Sequence, residues 1–132
     1  MIKGKELRPT NFILVNGQVE PVLEIRGGQI VYAYDPETEE PQLASFNDIE
    51  PIPLTHEWLE RMGFTLDKVF AYNGVRLSAQ VVWFDPEGLK VSSPFGHTIM
   101  QYVHQLQNWY FGLTNEELII RPKPASQNNY AK

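Results

Sequence analysis

Histidines, paired carboxylates and serines near a histidine are the residues of this chain that could do chemistry. With three histidines and no cysteine, thiolate nucleophiles, thiolate metal sites and disulfides are excluded. His97 and His104 are seven positions apart. On one helix they would point the same way two turns apart, with no third ligand between them, which is a poor metal spacing. Ser92 or Ser93 with His97 would supply a nucleophile and a base, but neither a G-x-S-x-G elbow nor a third partner accompanies them. Glu57 and Glu60 form an acid–base pair on paper and a solvated helix face in the ordinary reading. Gly27-Gly28 lacks the spacing and the following helix of a phosphate loop. No catalytic residue, metal ligand or cofactor is assigned. A small hydrolase using His97 or His104 stays as an alternative.

Binding is better supported than catalysis. Arg76, Trp83, Lys90, Phe95, His97, Tyr102 and His104 are the candidate ligand-binding residues. Aromatic faces with a few cations suit a stacked base carrying a phosphate, that is, a nucleotide or other small anionic ligand. A second set, His104, Gln105, Gln107, Asn108 and Phe111, reads as a protein interface. These residues fall on the outer side of the one long helix, where no charged residue lies between Tyr102 and Thr114. An uncharged, amide-rich face with an aromatic suits a homo-oligomer contact, while a host protein or a structural adaptor role without small ligand is the alternative. The other expectation for this side is cover by the N-terminal sheet or the tail of the same chain.

These groups must be positioned by the elements around them. YVHQLQNWYFGLTNEEL, Tyr102 to Leu118, carries the strongest helical pattern, with Tyr102, Val103, Leu106, Trp109, Tyr110 and Leu113 on one apolar face. The helix is expected to end near Thr114, with Asn115 as a left-handed cap. A short helix is expected after Thr55, its N-cap, with Trp58, Leu59 and Met62 inward and Gly63 ending it. Before it, Phe12–Val15, Val19–Ile25, Gln29–Tyr34 and Gln42–Phe46 read as strands, joined by Asn16-Gly17, Gly27-Gly28 and the acidic turn DPETEEP. Gln29–Tyr34 is expected to be central, with Ile30, Tyr32 and Tyr34 on one side. After it, Asn73-Gly74 and Asp85–Gly88 signal hairpins, with Val75, Leu77, Ala79, Val81 and Trp83 on a buried face.

The fold class that follows is α+β: an N-terminal SH3-like bent antiparallel sheet, a short helix, and a second antiparallel hairpin sheet covered by the long C-terminal helix. Residues 1–120 are read as one compact domain, 1–54 the SH3-like part and 55–120 the rest, with 121–132 a flexible tail. A chain of 132 residues buries about two-thirds of its unfolded surface, enough for its own core. The net charge of −5 argues against broad nucleic-acid binding. No apolar run reaches the roughly 20 residues of a membrane span and no signal peptide is evident, so a cytoplasmic location is expected.

NDIEPIPLTHEWLERMGF and YVHQLQNWYFGLTNEEL together resemble two signature blocks of a family of short proteins without an assigned activity, from bacterial genomes, especially Bacteroidota, and from their phages and prophages. The similarity extends loosely to ELRPTNFILVNGQ and not to Phe70–Thr98. Asn115 stands where the family pattern has Gly after Leu-Thr, which preserves the capping logic. The resemblance implies a small accessory protein of the host cytoplasm, often on mobile DNA. It would sequester a nucleotide-type signal or block host defence.

Overall fold

The computed structural model describes residues 6–66, 70–77, 80–85, 88–93 and 96–122, with backbone alone at 66, 70, 80–85 and 93. In chain order the elements are β1 (Phe12–Val15), β2 (Gln18–Pro21), β3 (Glu24–Arg26), β4 (Gln29–Tyr34), β5 (Pro41–Ser45), a 3-10 turn (Phe46–Asp48) and β6 (Ile49–Glu50). Then follow α1 (His56–Arg61), β7 (Phe64–Leu66), β8 (Phe70–Tyr72), β9 (Val75–Arg76), β10 (Gln80–Asp85), β11 (Gly88–Ser93), β12 (Gly96–Met100) and α2 (Val103–Thr114). Short antiparallel sheets with two helices make the fold α+β, as the sequence implies. Among the described residues the sheets are small and open, four of them with three strands each.

The chain divides into two compact units, Met1–Leu54 with Met100–Glu117, and Thr55–Ile99 with Leu118–Lys132. The first contains the sheets β2-β1-β6 and β3-β4-β5 together with α2. The sequence reading grouped α2 with the second hairpin; the structure groups it with the N-terminal strands, where it packs on β1. Asn16 and Gly17, at φ 52° and 80°, make the expected two-residue hairpin between β1 and β2. Pro21 ends β2 at the sheet edge, where a missing N–H is tolerated. The run Val19–Ile25 is not one strand: buried Val22 is the corner at which the chain changes sheet. Leu7, Ile13, Val15, Val22, Ile30, Ala44 and Ile49 form the core, with Tyr32 and Phe46 packed against it.

β4 is central, as its apolar pattern predicts, but its faces are not those of simple alternation. Ile30 pairs with Ala44 and Val31 with Leu43; then Tyr32 is skipped, so that Ala33 meets Gln42 and Tyr34 meets Pro41. This bulge moves Tyr34 off the inward side of Ile30 and Tyr32 and onto the side of Leu43.

The second unit holds α1 and the sheets β7-β8-β9 and β10-β11-β12. Thr55 Oγ1 accepts the Trp58 N–H at 3.3 Å, Trp58, Leu59 and Met62 are buried, and Gly63 follows at φ 83°. All were expected. Asn73-Gly74 does join β8 to β9, but Val75 is 64% exposed and the strand breaks after Arg76, so the long buried face from Val75 does not form as one strand. Side chains of Val81 and Trp83, and residue Ala79, lie outside the described residues. Leu118–Pro122 adds no strand. Instead Arg121 exchanges backbone and side-chain hydrogen bonds with Arg61 and donates to Glu60 O, at the carbonyl end of α1. Residues 123–132, the rest of the segment read as a tail, lie outside the described residues. Among the described residues no helix is long and apolar enough to cross a membrane.

Candidate functional site

α2 explains the uncharged side of the long helix. Its buried arc runs through Val103, His104, Leu106, Gln107 and Tyr110, so two residues expected on the outer side are inside. The cover is residues 6–12 of the first unit. Gln105 Oε1 accepts the Gln101 and Tyr102 N–H groups at 2.7 and 3.1 Å, capping the helix start. Gln107 Oε1 accepts the Phe12 N–H at 2.9 Å and Gln107 Nε2 donates to Thr10 O at 3.1 Å. Asn108 Oδ1 accepts from Arg8 Nε at 2.8 Å and Asn11 Nδ2 at 2.9 Å, while Asn108 Nδ2 donates to Glu6 O at 2.8 Å. Arg8 lies 4.2 Å over the Phe111 ring and pairs with Glu117 at 2.7 Å. The amides thus lack charge because they replace backbone partners in a buried seam. Of the set His104, Gln105, Gln107, Asn108 and Phe111, His104 and Gln107 are buried and so are not on an exposed face, while Gln105, Asn108 and Phe111 are half-buried.

The described ligand candidates are divided between the two units. Tyr102 and His104 lie in the first unit, their rings stacked at 6.1 Å and 10°. His104 is 2% exposed, with neither ring nitrogen hydrogen-bonded, and its burial lowers its pKa against an opposing pull from Glu6. Its ring is therefore buried rather than presented at the surface. Arg76 and His97 are exposed and Lys90 is half-buried in the second unit, where Lys90 and His97 occupy the neighbouring strands β11 and β12. The side chain of Trp83 and residue Phe95 lie outside the described residues. Among the described residues no group of three or more His, Asp or Glu is placed to hold a metal.

The bulge in β4 creates a grouping that strict alternation concealed. Tyr34 is 45% and Leu43 42% exposed. The Tyr34 hydroxyl donates to Glu24 Oε2 at 2.5 Å, and Arg26 holds the same carboxylate at 3.1 Å. Arg26 and then Tyr34, by hydrogen bonding the Glu24 anion, hold its carboxyl below the ordinary value; the Tyr34 phenol is raised by the same bond. Beside Tyr34, the turn to β5 is closed by Asp35 Oδ1, which accepts the Glu37 and Thr38 N–H groups at 2.8 and 3.0 Å. Those bonds keep the Asp35 carboxyl ionised to lower pH. Glu37, Glu39 and Glu40 are exposed around it. The signal in the sequence was Glu24, Arg26 and Tyr34 flanked by DPETEEP, which becomes legible only with the register. No family model, curated protein or solved structure matches the chain.

Proposed function

We propose that this protein is a non-enzymatic interaction protein that binds a protein partner through the outer side of the β3-β4-β5 sheet. The observation that supports it is Tyr34: an exposed aromatic fixed in place by Glu24 and Arg26, with Leu43 on the same side. Rigid Tyr and Arg side chains around an apolar centre are the residue types that carry binding energy at interfaces. The acidic turn at one end calls for a partner with an apolar centre and a basic rim. The resemblance of the two sequence blocks suggests a host protein as that partner, with block of host defence as the outcome. Capture of a host protein that is lost in Tyr34→Ala and Leu43→Ser, weakened by salt and kept in Val75→Ser, is the expected result. Capture indifferent to both sheet substitutions overturns the reading.

The nucleotide reading keeps one observation in its favour, the placement of Lys90 and His97 on adjacent strands with Arg76 exposed in the same unit. Thermal shift against cyclic and linear nucleotides tests it, since a ligand at 100 times its Kd adds about 2.7 kcal/mol of stability. No shift with any of them removes it.

A further inference from the structure

We infer that β5 is a docking edge for an extended, basic segment of a partner protein, which adds to the β3-β4-β5 sheet as its next strand; this rests on the reading of that sheet as the binding surface and names how the partner is held. β5 ends the sheet, so one side of its backbone has no neighbouring strand. Two bonds fix which residues face that side. The Phe46 N–H donates to Gly28 O at 3.1 Å, and the Asp35 N–H donates to Glu40 O at 2.9 Å. Each lies one residue outside a facing pair, Gln29 with Ser45 and Tyr34 with Pro41. In an antiparallel ladder that marks both as non-hydrogen-bonded pairs, whose own N–H and C=O groups point away from the neighbour.

The bulge is in β4 and not in β5, so the alternation along β5 is unbroken: Gln42 and Ala44 face β4, while Pro41, Leu43 and Ser45 turn their backbone outward. Pro41 has no N–H to offer, which suits that position. Leu43 offers both groups and is 42% exposed. Among the described residues neither group has a hydrogen-bond partner.

An extended segment is the chemistry that satisfies such an edge. In antiparallel pairing one partner residue exchanges two bonds with Leu43, and residues two places to either side meet the Ser45 N–H and the Pro41 C=O. Every second partner side chain then joins Tyr34 and Leu43 on the outer side. Charge selects the occupant. Between Glu24 and Ser45 stand five carboxylates and one guanidinium, in a chain whose net charge is −5. Four of the carboxylates, Asp35, Glu37, Glu39 and Glu40, precede Pro41, the first residue of β5. A second copy of this edge would set like charge against like charge, whereas a segment with Lys or Arg at the end beside the turn is attracted.

A displayed library of random peptides, selected on the full chain, supplies the probes, and the strongest binders are titrated as soluble peptides. Basic residues gathered at one end, and affinity lost on N-methylation at alternate positions only, are the expected results. Leu43→Pro, which removes the N–H at a position equivalent to that of Pro41, is expected to weaken binding about tenfold more than Leu43→Thr, which keeps it. No enriched peptide, an N-methylation pattern without the period of two, or equal losses in Leu43→Pro and Leu43→Thr overturns the inference. So does a dimer of the wild type that Leu43→Pro dissociates, since the occupant is then a second copy. The N-methylation pattern decides if Leu43→Pro does not fold. Binders that need the Tyr34 and Leu43 side chains but show no alternation leave the sheet as the binding surface and reject the added strand. Binders indifferent to Tyr34→Ala and Leu43→Thr reject both.

Discussion

Gln107 and Phe12 are joined by a hydrogen bond of 2.9 Å in which the side-chain carbonyl of Gln107 accepts the backbone N–H of Phe12. The same side chain donates to Thr10 O, so one primary amide presents a donor and an acceptor side by side, as the next strand of a sheet would. The partner β6 covers β1 only at Leu14 and Val15. Gln107 supplies the bonds where β6 stops. Gln107→Leu is expected to destabilise the first unit by about 1–3 kcal/mol, because it removes the side-chain acceptor of the Phe12 N–H and the side-chain donor to Thr10 O. Urea unfolding measures it, and a loss under about 0.5 kcal/mol, the surface-substitution range, would place Gln107 outside the seam.

Leu106 is fully buried on the same helix. Leu106→Ala is expected to cost about 2–5 kcal/mol, the transfer free energy of the lost methyl groups plus the cavity they leave. The sequence pattern places Leu106 correctly and Gln107 incorrectly for one reason. Periodicity reports which residues are apolar, and burial of an amide depends on what lies opposite.

The same distinction separates what was legible from what was not. The helix end at Asn115, φ 62°, the caps at Thr55 and Gly63, and the hairpins at Asn16-Gly17 and Asn73-Gly74 are local devices, set by residues within a few positions. They could be read directly. The grouping of α2 with β1, the burial of His104 and Gln107, and the side on which Tyr34 emerges depend on pairings of distant segments or on a bulge. Gln29–Tyr34 reads as a regular strand until its register with β5 is known.

Gly63 gives a test in the second unit. At φ 83° it is in the left-handed region, and a Cβ built there would lie 2.5 Å from Asn73 Oδ1. Gly63→Ala should destabilise by more than Gly17→Ala, which has the same sign of φ but open space around it. The difference in melting midpoint isolates the clash with Asn73. In Asn73→Ala the two glycine substitutions should become more nearly equal; if they stay as far apart, the clash is not the cause.

Glu117 predicts an acid limb. Its carboxyl titrates below the ordinary value of 4.5, held there first by the hydrogen bond from Arg8 and also by that from the Thr10 hydroxyl, against desolvation. A depressed native pKa contributes stability that is present above the unfolded value and lost as pH falls through the native one. Glu117→Gln should flatten the fall in stability below about pH 5. The effect is small, because the pair is partly exposed and screened. Superimposable acid limbs for the two proteins would show that the Arg8 pair adds nothing.

Thr10 gives the sharpest contrast. It is exposed, so the usual expectation is that substitution there changes stability little. Its φ of 83° reverses that expectation, since a β-branched residue held in this region stores about 1–3 kcal/mol of strain. Thr10→Gly removes the strain, at the expense of the hydroxyl bond to Glu117 and of added freedom in the unfolded chain. Thr10→Val keeps the strain and loses the hydroxyl. The glycine variant should therefore be more stable than the valine variant by at least about 1 kcal/mol and should match the wild type or exceed it. Paired denaturation curves decide: a valine variant as stable as the glycine one would mean that residues 8–11 relax into an unstrained turn.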